Sequence, residues 1–184
     1  MPDQPIDFLA IGDVTTDAFI RLKDAEVHCD VNKEKCQICI RFGDKIPYES
    51  VTEVSAVGNS PNASVAAARL GLKSAIMTNI GDDEGGKKAR QIFEQEGVDT
   101  TFVKTETGKK TNYHYVLWFG DERTILIKHT EFEYSLPDIS EPSWLYLSSL
   151  GENSVPFHHQ LAKYLANHPS VKLAFQPGTF QIKL

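Results

Sequence analysis

The sequence predicts an α/β protein built on a mostly parallel sheet, covered by helices on both faces, with a smaller antiparallel sheet set apart from it. Three observations carry this. Short apolar runs alternate with helical stretches near 60–71, 85–96 and 155–167, the rhythm of βα units. The first run, 6–11, ends in Gly12-Asp13, as a buried strand does when its carboxyl end carries a loop. Two polar, alternating inserts, about 24–56 and 98–129, break the rhythm and are expected to form a separate lid.

Taken in order, 6–11 is a strand, and Asp13, Thr15, Thr16 and Asp17 crowd its tip. Residues 24–36 read as a polar excursion and 37–42 as a half-exposed strand. A turn at Gly43-Asp44 precedes strands near 45–48 and 51–57. The helix of 60–71 follows, then a strand over 73–79 and a turn at Gly81-Asp82-Asp83 into the helix of 85–96, which Gly97 closes. Runs at 98–104, 111–119 and 123–129 are strand-like, with turns at 107–110 and 120–122. A strand at 144–147, the helix of 155–167 and a strand at 171–175 complete the pass, and the last residues look like the start of a further element.

The chain has 184 residues, 41% of them hydrophobic and 24% charged, which suits one soluble globular domain. A net charge of -6 argues against nucleic acid, because phosphate binding needs a basic footprint. No apolar run approaches the roughly 20 residues that cross a bilayer. Met1-Pro2-Asp3-Gln4-Pro5 lacks the basic start and apolar core of a signal peptide. Three cysteines do not make a secreted disulfide framework. A cytoplasmic location is expected.

The richest segment is Ala56-Val57-Gly58-Asn59-Ser60-Pro61-Asn62, which opens a run of alanines. Asn, Ser and Pro suit the unpaired N–H groups of a helix start, and small residues let the helix lie close to a sheet. A glycine with Asn59 and Asn62 beside free N–H groups offers donors and acceptors to a polyhydroxylated ligand. A well-capped packing helix fits the same residues.

In order and spacing, Gly12-Asp13-Val14-Thr15-Thr16-Asp17, Gly58-Asn59-Ser60-Pro61-Asn62, Gly71 and Asn79-Ile80-Gly81-Asp82-Asp83-Glu84-Gly85 resemble the N-terminal signature of the ribokinase-like (PfkB) carbohydrate kinases. The resemblance covers essentially all of residues 1–184, but only the N-terminal portion of a family member. It implies a three-layer α/β/α, Rossmann-like fold with a β-sheet lid, its sheet incomplete in this chain. Two departures stand out: Val57-Gly58 replaces a pair of glycines, and Pro61 stands where a small flexible residue is common.

What the resemblance implies for function is an ATP-dependent kinase that moves a phosphoryl group, with Mg²⁺, onto a hydroxymethyl group of a sugar or nucleoside. This chain would supply the substrate-binding half. Asp17 would bind a diol with its two oxygens, Gly58 would admit the ligand to the backbone, and Asn59 and Asn62 would bind hydroxyls. Asp13 and Thr15 are weaker candidates for the same task, with a turn role as the alternative. No catalytic residue is assigned, since none of Gly12-Asp13, Gly43-Asp44, Gly81-Asp82 or Gly120-Asp121 has the context of the family's Gly-Ala-Gly-Asp motif. The rival reading is a non-catalytic sugar-binding module that dimerises through its lid sheet.

Other residues allow two roles each. Tyr113 and His114 could touch a sugar or form a packed cross-strand pair. His158 and His159, adjacent on a helix, face different ways and disfavour a shared metal. His28, Cys29, Cys36 and Cys39 have the chemistry of a zinc site, against a simpler reading as reduced thiols.

Overall fold

The computed structural model describes residues 5–183, so Met1-Pro2-Asp3-Gln4, most of the N-terminal stretch read above for signal-peptide character, lies outside the described residues. The strands are β1 (Phe8–Ile11), β2 (Thr15–Leu22), β3 (Glu26–Cys29), β4 (Cys36–Cys39), β5 (Tyr48–Val57), β6 (Ser74–Gly81), β7 (Val103–Glu106), β8 (Asn112–Phe119), β9 (Glu122–Leu126), β10 (Trp144–Leu147) and β11 (Lys172–Phe175). The helices are α1 (Asn59–Arg69), α2 (Glu84–Gln95), α3 (Val155–Asn167) and the single turn α4 (Thr179–Ile182). No described helix is long and apolar enough to cross a membrane.

The chain divides into two units. The first holds residues up to 16, 55–112 and 128 onward; the second holds 17–54 and 113–127.

In the first unit a five-stranded sheet runs in the order β11-β10-β1-β6-β7, every neighbouring pair parallel. The two faces of β6 follow the period of a strand. Ala75 and Met77 join Leu9, Ile11, Leu145 and Leu147 in one core, against Phe157 and Leu161 of α3. Ile76 and Ile80 join Ala89 and Phe93 of α2 in the other, with Val65 and Ala68 of α1 packed on it. Sheet between helical layers is therefore the observed architecture, as expected.

Helix α1 buries Ser60, Pro61, Ser64 and Ala67, one stripe at i, i+4 and i+7. The close packing expected of the alanine run thus comes from two serines and one alanine, while Ala66 is exposed. Helix α2 starts at Asp83, whose carboxylate accepts from the Gly86 N–H at 3.0 Å and from Thr111. Gly97, with φ +73°, follows its C-cap as predicted.

The second unit contains most of a four-stranded sheet in the order β5-β2-β8-β9, and the two-stranded β3–β4 sheet. Strands β8 and β9 are antiparallel, with Tyr115 opposite Leu126 and Trp118 opposite Arg123. Arg21 pairs with Glu49 at 3.0 Å and lies over the Trp118 ring.

Four expectations need correction. Thr15 to Asp17, read as loop, begin strand β2: their polar side chains masked a strand start in which Thr15, Thr16 and Ala18 are all buried. The strand expected at 98–104 is loop until Val103, because Val98 and Phe102 pack on the cores without entering the ladder beyond one bridge of Asp99 to Ala75. Strand β7 then joins the parallel sheet, so the inserts expected at 24–56 and 98–129 become 17–54 and 113–127. Of the two short strands expected at 45–48 and 51–57, residues 45–47 are loop, and Tyr48 begins one strand, β5, that runs to Val57.

Candidate functional site

The order of the large sheet puts a topological switch between β1 and β10. The chain goes from β1 outward through β6 to β7, then returns to lay β10 and β11 on the other side of β1. Ligands of open α/β sheets bind at such a point, outside the carboxyl ends of the strands. Three segments of the first unit meet there: the turn after β1, the start of α1 and the turn after β10.

Gly12 sits where they cross. Its N–H donates to the Met77 carbonyl, while the Ser148 N–H donates to Ile11 and the Asp13 N–H to Ser149. The Ser60 hydroxyl donates to the Ile11 carbonyl at 2.6 Å and lies 2.7 Å from the Ser148 hydroxyl. A Cβ on Gly12 would fall 2.3 Å from Ser148 Oγ and 2.6 Å from Ser60 Oγ. Gly58 is the N-cap of α1, with φ +129°, and a Cβ there would meet the Asp13 carbonyl at 2.9 Å. The glycine read as admitting a ligand is therefore required first to let the helix start reach the Asp13 turn.

Asn59 and Asn62 are exposed on the first turn of α1. Asn, Ser and Pro do open this helix, but its N-cap is Gly58 and no side chain caps it. The backbone N–H of Asn62 donates to the Gly58 carbonyl at 3.0 Å. At this helix mouth Pro61 has no N–H and that of Asn62 is taken up by Gly58, while Asn59 and Asn62 stay exposed.

Asp13 is the charged centre of this corner. Tyr134 donates its hydroxyl proton to Asp13 Oδ1 at 2.8 Å and accepts from the Gly151 N–H at 3.1 Å. His129 Nδ1 stands 3.5 Å from Asp13 Oδ2. The Asp13 side chain is only 8% exposed. Hydrogen bonding to Asp13, aided by the charges of Asp13 and Glu152, raises the His129 pKa against the opposing effect of burial. Burial, then the Asp13 charge, pushes the Tyr134 phenol well above its usual range, so it stays a donor. Sequence reasoning singled out neither His129 nor Tyr134: Tyr134 contacts Asp13 across 121 residues, and no local pattern announces such a pair.

Thr15 and Asp17 have partners of their own. The Thr15 hydroxyl is buried and directed at the carbonyls of Asn112 and Thr16, both at 3.2 Å, the packing role rather than an open one. Asp17 belongs to the second unit, on β2, where Oδ1 lies 3.5 Å from His114 Nδ1. The Asp17 and His114 side chains are 20% and 14% exposed, so the expected packed pair of His114 is with a carboxylate. Tyr113 donates to Glu53, which pushes its phenol up to about 12.

The four-residue zinc reading fails. Cys29 and Cys36 are joined in a disulfide, His28 contacts Glu26 at 3.1 Å, and only Cys39 is a free thiol. Among the described residues no group of His, Cys, Asp and Glu could hold a metal. The reduced-thiol alternative is likewise met only by Cys39.

The pfkB family carbohydrate kinase model matches residues 23–175. The chain belongs to that family. Two curated relatives are similar over parts of it. Ribokinase of Haemophilus influenzae is 38% identical over 74 residues, which is 38% of this chain and 24% of the relative. Aminoimidazole riboside kinase of Salmonella typhimurium is 33% identical over 106 residues, 54% of this chain and 33% of the relative. Among solved structures, a ribokinase from Cryptococcus neoformans in complex with ADP superposes with a TM-score of 0.66 at 24% identity, over 93% of this chain and 49% of that one. The chain thus spans a quarter to a third of these curated relatives and about half of the solved fold. The ribokinase-like fold expected from the sequence is the observed one. The matched range contains Gly58, Asn59 and Asn62, while Asp13, Thr15 and Asp17 precede it.

Proposed function

We propose that this chain is the substrate-binding portion of a PfkB-family kinase that phosphorylates a hydroxymethyl group of a sugar or nucleoside. Gly58 and Asn59 offer backbone N–H groups and Asn59 and Asn62 their carboxamides to its hydroxyls, Asp13 shapes the same corner, and Asp17 accepts a vicinal diol. Thr15 stays in the set as a backbone-positioning residue, its hydroxyl being directed at carbonyls. The observation that carries the reading is the convergence of the Gly12-Asp13 turn, the uncapped start of α1 and the Ser148–Gly151 turn at the switch point.

The donor of such a kinase is ATP with Mg²⁺, which neutralises the phosphates as charge moves. Among the described residues no group of three or more His, Cys, Asp or Glu side chains is placed to hold that ion. A cytoplasmic, homodimeric enzyme, with the second unit as its lid, completes the proposal.

The test is calorimetric binding of a panel containing D-ribose, D-fructose and nucleosides, together with coupled-assay turnover of ATP by the complete gene product. One sugar of the panel should bind, and Asn62→Ala should weaken it about threefold to tenfold, the worth of one hydrogen bond. Binding without turnover would support the non-catalytic module instead. Unchanged binding in both Asn62→Ala and Asp17→Asn would remove these residues from the site.

A further inference from the structure

The β3–β4 hairpin rests on almost no buried apolar surface. Strand β3 is exposed throughout, and only Ile38 and Cys39 of β4 are half-buried. Nearby Val27, Val31, Ile40 and Phe42 are all more than half exposed, and neither core cluster draws on the segment. A two-stranded hairpin of this kind is marginal in water. Three devices hold this one: the short ladder itself, with Glu26 opposite Cys39 and Cys29 opposite Cys36; the Asp30 carboxylate, which accepts from the N–H groups of Glu34 and Lys35 at 2.8 and 3.3 Å; and the disulfide between Cys29 and Cys36.

We propose that Cys29 and Cys36 are a reversible redox modification site whose oxidised form fixes this hairpin and whose reduced form releases it. Both cysteines are exposed, so a thiolate can reach either sulfur. A dithiol reductant of the thioredoxin type attacks one sulfur and forms a mixed disulfide; its second thiol then displaces the other cysteine. The S–S bond gains two electrons and two protons, leaving two thiols here and one disulfide in the reductant. Reoxidation by a small-molecule disulfide runs the same exchange backwards. Exposed disulfides outside a core are the labile, regulatory kind. Ladder position selects the pair, since Cys39 faces Glu26 and has no cysteine opposite it. It instead lines an open cavity of about 450 Å³ at the root of the hairpin, with Asp24, Glu26 and Arg41. The hairpin is also the connection between β2 and β5, neighbours in the four-stranded sheet, so releasing it loosens the link between the strand that carries Asp17 and its neighbour.

Hydrogen exchange read by mass spectrometry, on the same chain with and without dithiothreitol, tests the proposal. Reduction should speed exchange of the amides in 26–39 about tenfold or more, since closing a loop removes unfolded-state freedom. Amides of α1 and β6 should not change. Adding oxidised glutathione should restore protection, with the disulfide mapped to Cys29 and Cys36. A Cys29→Ser, Cys36→Ser variant should match the reduced chain under both conditions. Equal protection with and without reductant, resistance of the bond to a glutathione buffer, or a mapped bond to Cys39 would each overturn the proposal.

Discussion

In a nearly closed corner Tyr134 donates to one oxygen of Asp13 and His129 faces the other. Tyr134→Phe would strip Asp13 Oδ1 of its donor and the Gly151 N–H of its acceptor at once. A buried polar group left unpaired costs about 1–3 kcal/mol, so urea unfolding should show a loss in that range. The His129 pair gives a pH dependence whose sign is fixed. Its folded pKa lies above the ordinary 6.5, so the protonated ring stabilises the fold fully below 6.5 and stops doing so as pH rises through the raised value. Wild type should therefore exceed His129→Asn in Tm at pH 6, with the gap closing as pH rises through the raised value. A gap independent of pH would mean that the ring acts through packing alone.

Elements meet at this corner through residues chosen for what they omit. Gly12→Ala would drive a methyl group into the hydroxyls of Ser60 and Ser148 and should cost roughly 1–3 kcal/mol, the usual penalty of overpacking. Adding Ser60→Ala and Ser148→Ala to that change should recover part of the loss if the clash is its cause. At the start of α2, Asp83→Ala removes both a cap and the bonds to Thr111, a loss of about 1–2 kcal/mol measurable by thermal melts. Much at this scale was legible in the sequence. The helix over 155–167 and the strand over 144–147 stand where periodicity puts them, because each buries a regular stripe bounded by a turn residue. Strand β2 was not legible, because Thr15, Thr16 and Asp17 have turn-like chemistry and the first two are both buried, which hides the alternation of a strand. The run 98–104 misled in the opposite sense, since an apolar loop laid over a core has the composition of a strand. Gly12 and Gly58 were visible as glycines, but the atoms that exclude a Cβ come from other segments.

Across the whole molecule, what the sequence withheld is what depends on contacts between distant segments. Asn59 and Asn62 were recognisable from their place before the alanines, whereas the Asp13–His129–Tyr134 group and the Glu106 network join residues that share no local pattern. Glu106, at the end of β7, is 8% exposed. It accepts from the Asn79 carboxamide at 2.6 Å and the Glu133 N–H at 2.8 Å, and pairs with Lys109 at 2.7 Å and Lys104 at 3.6 Å. Burial alone would raise its pKa, but bonds from Lys109, Asn79 and Glu133 hold it below the ordinary 4.5; the bonds from Thr111 and Gly86 likewise depress Asp83, against burial. A depressed folded pKa means stability that is complete above the unfolded value and is lost as pH falls through the folded one. The chain should therefore hold its stability from neutral pH down to about 4.5 and lose it steeply below. Glu106→Gln keeps the shape, yet leaves Lys109 without its carboxylate, so it should be less stable at pH 7 and approach wild type as the acid limb is descended. Urea midpoints at pH 7, 4.5 and 3 decide the matter: parallel curves for the two proteins would show that the carboxylate's charge contributes nothing, and convergence at low pH would show that it ties the end of β7 to the segment after β9.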